Sequence, residues 1–510
     1  MPNLFSEIKT KAKIPNYKYF VDGEWQESRS RKLITIFSPI DRSILGRIQS
    51  ITKKEADLLV TSSAMAYEGW SKISLGRRLA IMKKLAARIN NNGKIFQKLL
   101  VVEIGKTQAE AQREVENAVK FLEATILQAE IKPYILKNRK EKCEVNFLPR
   151  GVVLCITPFN FPLYTTITQV APALLGGNSV VLKPSVHGAI TALYLGRLFQ
   201  KAGLPAGVLN IATGHSGEIG TFLVSHDLVK MIYFTGSSKV GKEIAQKSGL
   251  SQLVLEMGGK DAAIVLEDAD LDKAAQEIVE GAFMFSGQRC MAIKRVIVLK
   301  KVKDQLLEKM SQYVKERFSL VGDPRDSKTQ VGPVISDKQA DYLEALIKDA
   351  KKKGAKIVCG GTRFDIAKRK IRFSRRLLEL PRRIVRLRRG QGRYFCPTIL
   401  DEVKTNMRIA WEEQFGPVLP VITVKSVQEA VNVTNASEYG LDASIFTRNL
   451  ARARKLAEAI EVGQIFINMK PHRAPNEFPF TGTKNSGIGT QGIPFTQKEM
   501  VRIKSLRFPA

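Results

Sequence analysis

Cysteine and histidine are scarce in this chain, with five and four in 510 residues. The cysteines, at 143, 155, 290, 359 and 396, are odd in number, far apart and never spaced as CxxC. That excludes a disulfide framework and argues against a structural zinc site, so no metal is expected. Long apolar runs are missing too. No stretch of 18 apolar residues occurs, and no membrane span is expected. The opening MPNLFSEIKTKAKIPNYKYF is mixed and charged, without the apolar core of a secretory signal. These absences together lead to the expectation of a cytoplasmic protein in a reducing compartment.

Acidic residues are also in deficit, 49 against 81 Lys and Arg, for a net charge of +32. Such a charge raises nucleic acid as a partner. Its distribution argues otherwise. From Arg363 to Arg393, 13 basic residues face two acids, and no RNA-binding aromatic motif, zinc finger or basic zipper accompanies them. No nucleic-acid partner is expected. Three readings of the 364–393 stretch stay open: a solvated basic insert, a local frameshift in the gene, or an effector or nucleic-acid site.

What is present is a large core. Hydrophobic residues make up 44% and charged residues 25%, ordinary for a globular chain of two or three domains. Apolar runs at 151–157, 178–185, 208–213, 231–236 and 253–259 read as strands, with helical patterns at 161–177 and 190–205 between the first three. Continuous Val/Ile/Leu strands separated by helices indicate a parallel sheet covered on both faces. A second series at 262–266, 295–299, 355–361 and 444–448 indicates a second α/β unit. Segments 135–151 and 500–510 read as strands of a small sheet outside both cores.

Cys290, in FSGQRCMAIKRV, raises the chemical question. A lone cysteine is ordinarily a small buried hydrophobe, and the other four keep that reading. A catalytic thiol is partly exposed and poised as thiolate, usually beside histidine. None of the four histidines lies in a recognisable signature, so a carboxylate must serve as base. Glu256 ends the apolar strand LVLE just before Gly258-Gly259, where burial among Leu, Val and Met should raise its pKa. Asn160, in ITPFNFPLYTT, follows a strand and precedes a helix, where its amide could serve an oxyanion. FTGSSKVGKEIAQ, at 234–246, is a strand, a glycine turn and a helix, whose N-terminus could receive a pyrophosphate.

Taken with KPS at 183–185, LEMGGKDAAIVLEDADLD, GQRC, EEQFGPV at 412–418 and FPFTGTKNSGIGTQG at 478–492, these motifs resemble the aldehyde dehydrogenase superfamily. They occur in that family's order, and Glu256 and Cys290 stand at its spacing, 34 residues apart. The resemblance runs from YKYFVDGEW to the C-terminus apart from about 364–393. It implies an α/β aldehyde dehydrogenase fold, with a Rossmann-like cofactor domain over 1–134 and 151–256 and a catalytic domain over 257–468 carrying the basic insert. Segments 135–150 and 469–510 would bridge subunits of a homotetramer or dimer.

The mechanism implied by the resemblance has Cys290 attack an aldehyde carbonyl. Asn160 and the Cys290 N–H hold the oxyanion, a hydride leaves for the nicotinamide, and Glu256 activates water against the thioester. The implied cofactor residues are Thr157, Pro158, Phe159, Lys183, Ser185, Gly236, Ser237, Val240, Gly258, Glu413 and Phe415. NAD-preferring relatives carry an acid just after the Lys-Pro pair; here Ser185 and Val186 stand instead, favouring NADP with NAD also accepted.

Arg289 beside the nucleophile, and Arg473 before PNEFPF, resemble the phosphate-binding arginines of the non-phosphorylating glyceraldehyde-3-phosphate dehydrogenases. The bland alternative for each is an ion pair. Two of that group's features differ: register puts Asn117 where it has another arginine, and Phe161 where it has tyrosine. The expected substrate is glyceraldehyde 3-phosphate, with Arg289, Arg473 and Phe161 around it. Lactaldehyde or a semialdehyde is the alternative, and transfer to coenzyme A instead of water is the rival chemistry, disfavoured by Glu256.

Overall fold

The computed structural model describes residues 8–10, 13–364 and 392–509, so the basic stretch 364–393 falls outside it except at its ends. Those ends meet, because Arg363–Phe364 pairs antiparallel with Tyr394–Phe395.

The first sheet has eight strands in the order Gly487–Ile488, Gln252–Glu256, Val229–Thr235, Val152–Thr157, Ser179–Pro184, Leu209–Ile211, Tyr19–Val21 and Glu24–Gln26. The five middle strands are parallel, and the outer ones antiparallel. Alternate side chains of Val152–Thr157 enter opposite cores. Val153 and Cys155 join one cluster, Val152 and Leu154 the other. A strand buried on both faces must be apolar throughout, which is why its sequence shows no alternation.

The chain starts the parallel part of this sheet at Val152–Thr157, builds outward to Leu209–Ile211, then crosses back to add Val229–Thr235 on the other side. Strand order therefore reverses between Val152–Thr157 and Val229–Thr235. In such a sheet a crevice opens at the strands' carboxyl ends where the order reverses. Asn160, Gly236 and Glu256 all sit at those ends.

The second sheet has seven strands in the order Lys356–Cys359, Thr398–Asp401, Val418–Val424, Arg295–Leu299, Ala262–Val265, Asp442–Phe446 and Gln464–Ile467. All neighbours are parallel except the first pair. Here too both faces are buried, with Ile264 and Ile297 on one side and Val265, Val296 and Val298 on the other.

The segment read as one strand over 135–151 is a hairpin, Tyr134–Lys137 and Glu141–Pro149, turned at Asn138, whose side chain accepts from the amides of Lys140 and Glu141. Val501–Pro509 pairs along all nine residues of the second arm. Ile135, Leu136 and Ile503 on this small sheet are exposed.

One helix matters most to the site. Gln108–Leu127 opens on a capping box, in which Thr107 Oγ1 accepts from the Glu110 amide and Glu110 accepts from the Thr107 amide. Ala111, Glu114, Val115, Ala118, Phe121 and Leu122 are buried at helical spacing.

Candidate active site

Every residue expected in the site lines a single cavity of about 1050 Å³. Its walls come from both sheets, from the Gln108–Leu127 helix and from the loop after Gln464–Ile467.

Cys290 is half-buried at the end of a strained turn. Phe285, Ser286 and Gly287 have φ of 52°, 52° and 68°, three consecutive left-handed residues. Non-glycine residues adopt that conformation only when their surroundings impose it. Here the Phe285 amide donates to Glu110 (2.6 Å) and Ser286 Oγ donates to the Gly332 carbonyl (2.8 Å). Gln288 donates to the Pro333 carbonyl (3.3 Å) and accepts from the Ile335 amide (2.8 Å). At Gly287 a Cβ would fall 2.4 Å from the Gly416 carbonyl oxygen, so no larger residue fits.

Burial pushes the Cys290 thiol well above its ordinary range, and the neighbouring Glu256 carboxylate pushes it further, against the pull of Lys294 and Arg473. Burial and the facing carboxylate thus both disfavour the thiolate, and the two cations favour it.

Glu256 is buried, with 4% of its surface exposed. Burial raises its pKa, opposed by the charge of Arg473. Its Oε1 has no hydrogen-bond partner among the described residues, leaving an acceptor free in the cavity. Asn160 donates from Nδ2 to the Gln288 carbonyl at 3.0 Å. That ties the loop after the first strand to the turn carrying Cys290, and an amide keeps a second N–H to give.

The donor set on the nucleotide side suits an anionic dinucleotide. Ser237 caps the helix Ser238–Lys247, whose first turn faces the cavity beside Gly236. Lys183, 2% exposed, donates only to the Gly214 carbonyl (3.4 Å) and makes no ion pair among the described residues. Burial lowers it to about 8. The Ser185 amide donates to Thr157, fixing the turn after Lys183 (2.9 Å). Glu413 closes over Gly258, where any Cβ would lie 2.2 Å from Oε2. Phe415, at φ 43°, meets Phe159 edge to face at 5.9 Å.

The expected substrate residues divide. Arg289 donates to the carbonyls of Met291 (3.4 Å) and Pro471 (3.3 Å) and has no ion pair among the described residues. Arg473 lies 4.6 Å from the Phe480 ring and 5.7 Å from the Tyr164 ring, and donates to Gln491 Oε1. Burial opposes its charge, yet Tyr164, Glu256, Tyr233 and Cys290 hold its guanidinium above the ordinary range. Phe161 carries the ammonium of Lys106 3.6 Å above its ring, and Lys106 pairs with Glu114 at 2.6 Å, both fully buried.

Sequence reasoning missed Lys106, Arg113, Lys120 and Lys470, all of which line the cavity. Arg113, Asn117 and Lys120 share one helix face by their spacing of four and three. That periodicity was the signal available. It also missed Glu114, which accepts from the amides of Leu163 (3.0 Å) and Tyr164 (3.1 Å) and so anchors the loop bearing Asn160.

Comparison with known proteins accords with this arrangement. The family model of the aldehyde dehydrogenase family matches residues 25–374 and 381–506. The chain belongs to the aldehyde dehydrogenase family. It is 40% identical to the NADP-dependent glyceraldehyde-3-phosphate dehydrogenase of Streptococcus equinus, over 96% of this chain and 98% of that protein. It is 39% identical to the enzyme of the same name from Pisum sativum, over 96% and 94%. The NADP complex of the Bacillus halodurans C-125 NADP-dependent glyceraldehyde-3-phosphate dehydrogenase superposes with a TM-score of 0.90 at 36% identity, covering 97% and 99%. The break in the family match, between 374 and 381, falls inside the basic stretch.

Proposed function

We propose that this chain oxidises glyceraldehyde 3-phosphate to 3-phosphoglycerate with NADP, using water and not inorganic phosphate to release the acid. One observation carries the reading. A thiol, Cys290, and a buried carboxyl group, Glu256, line one cavity that also receives Arg473, a cation without a carboxylate partner among the described residues. The names of the relatives support the phosphorylated substrate and NADP.

In this reading Cys290 loses its proton to solvent, with Lys294 and Arg473 favouring the thiolate, and its sulfur bonds the aldehyde carbon. The free N–H of Asn160 and the Cys290 amide receive the oxyanion. When bound, NADP supplies the hydride acceptor. The acyl group then rests on Cys290 as a thioester. Glu256 takes a proton from water; hydroxide adds, the C–S bond breaks, and the acid leaves. Lys183, Ser185, Gly236, Ser237, Val240, Thr157, Pro158 and Phe159 would hold the nucleotide, and Gly258, Glu413 and Phe415 the nicotinamide end. Arg289 and Arg473 would take the substrate phosphate beside Phe161.

The divisions 1–134 with 151–256, and 257–468, are proposed as cofactor and catalytic domains. The exposed apolar residues of the small sheet support assembly through 135–150 and 469–510 as a dimer or tetramer. A glycolytic role in the cytoplasm follows from the substrate. No described helix is long and apolar enough to cross a membrane.

The test measures NADP reduction with glyceraldehyde 3-phosphate and with unphosphorylated glyceraldehyde, omitting phosphate and coenzyme A. Turnover that favours the phosphorylated aldehyde by at least tenfold in kcat/KM supports the reading. Equal turnover of both, or dependence on coenzyme A, overturns it.

A further inference from the structure

Lys294 lies four residues beyond Cys290, its side chain 1% exposed. It is not among the residues that line the cavity. Its ammonium nevertheless faces three groups. It donates to the carbonyl oxygen of Cys290, stands 3.3 Å from Glu413 Oε1, and stands 3.5 Å from Asp261 Oδ2. Its backbone is fixed as well: the amide donates to the Asp261 carbonyl (2.9 Å), and the carbonyl accepts from Gln414 (2.8 Å). One residue thus joins the nucleophile's turn, the Gly258–Asp261 segment and the Glu412–Phe415 loop.

We propose that Lys294 is a positioning residue for Cys290: its buried charge fixes the nucleophile's carbonyl, favours the thiolate, and ties the sulfur's turn to the Glu413 wall of the cavity. This rests on Cys290 being the nucleophile of the proposed reaction. A lysine is needed because a buried ammonium can serve a carbonyl and two carboxylates at once, whereas an apolar residue would leave Glu413 and Asp261 with only the Gly259 and Asp442 amides and no cation among the described residues. The surroundings keep it charged. Burial opposes the charge, but Asp261, Glu413 and Cys290 outweigh it and raise its pKa.

The other groups facing the thiol are accounted for. Glu256 opposes ionisation, and Arg473 favours it with Lys294. Arg289 and Tyr164 face the sulfur from the adjoining turn and helix. Around Lys294 stand Lys260 and Arg295, whose donors go to carbonyls and to Gln414, and Asp442, whose amide donates to Asp261 (3.3 Å). Lys294 is the cation in this group bonded directly to Cys290.

The experiment measures the pH dependence of Cys290 alkylation by iodoacetamide in the cofactor-free full chain, and kcat and KM in the same variants. Lys294→Met should move the alkylation midpoint up by about one to three pH units. It should lower kcat much more than it raises KM for the aldehyde, with kcat recovering as pH rises. Lys294→Arg should restore part of both. Because removing one buried cation can unfold the chain, the charge-balanced double variant Asp261→Asn with Lys294→Met is measured alongside. A folded variant of either kind whose alkylation midpoint matches the parent overturns the proposal. The proposed reaction fails separately, if Cys290→Ser retains turnover, whatever the Lys294 variants do.

Discussion

Asn160 donates to the carbonyl of Gln288, 3.0 Å away, and so holds in place the turn that presents Cys290. One amide thereby has two duties. It braces the nucleophile through one N–H and keeps the other for the charge that develops on the substrate oxygen. Asn160→Ala removes both. We expect kcat to fall on the order of 10²–10³-fold, the usual cost of losing one oxyanion donor. Steady-state kinetics checks this, and a loss below tenfold would assign the oxyanion to other donors.

Glu256 makes a prediction about pH. Its carboxyl is raised by burial, so it is protonated at lower pH and cannot take a proton from water. Release of the acyl group should slow as pH falls through that raised value and quicken as pH rises. Glu256→Gln should lose this dependence, with turnover down by about 10²–10⁴-fold and a burst of one reduced cofactor per active site. Stopped-flow measurement of the burst amplitude across pH checks it.

Cys290 gives a second pH signature. Burial and the Glu256 carboxylate both raise its pKa above the ordinary thiol range. Alkylation should therefore rise with pH to a midpoint above that of an ordinary exposed thiol. In Glu256→Gln the like charge is gone, so the profile should move to lower pH.

Lys183 bears on cofactor choice. It is buried, lowered to about 8, and lacks a carboxylate partner among the described residues. A 2′-phosphate would meet its full charge only below that value. NADP affinity should therefore weaken as pH rises above about 8, while NAD affinity changes less. Lys183→Met should abolish the difference. Titrations with both cofactors at several pH values read this directly.

The Lys106–Glu114 pair should dominate local stability. Both side chains are at most 1% exposed and 2.6 Å apart, and Glu114 also holds two amides of the Asn160 loop. Removing one member of a buried pair costs about 3–5 kcal/mol. Glu114→Gln should show that loss in urea unfolding and lower kcat as well, because the loop it anchors carries Asn160.

Much of the fold was legible because doubly covered parallel strands have uninterrupted apolar runs, as at 152–156 and 296–299. Short edge strands such as Tyr19–Val21 and Gly487–Ile488 were not. Their apolar content is small, and their pairing is decided by contacts hundreds of residues away. Cys290, Glu256 and Asn160 were legible because each follows an apolar run or a glycine turn. Lys106 and Lys294 were not, since a buried lysine looks like a surface lysine until its carboxylate partners are known. The thiol's raised pKa was hidden for a similar reason, because it depends on Glu256 facing the sulfur.

The central claim is that the acyl group passes through Cys290 and is released by Glu256. It is tested most directly by quenching Glu256→Gln after mixing with NADP and glyceraldehyde 3-phosphate, then mapping the adduct by peptide mass spectrometry. The account predicts a phosphoglyceryl thioester on the peptide containing Cys290, in near-stoichiometric yield, and none in Cys290→Ser. An adduct on Cys143, Cys155, Cys359 or Cys396, or full turnover by Cys290→Ser, would contradict it.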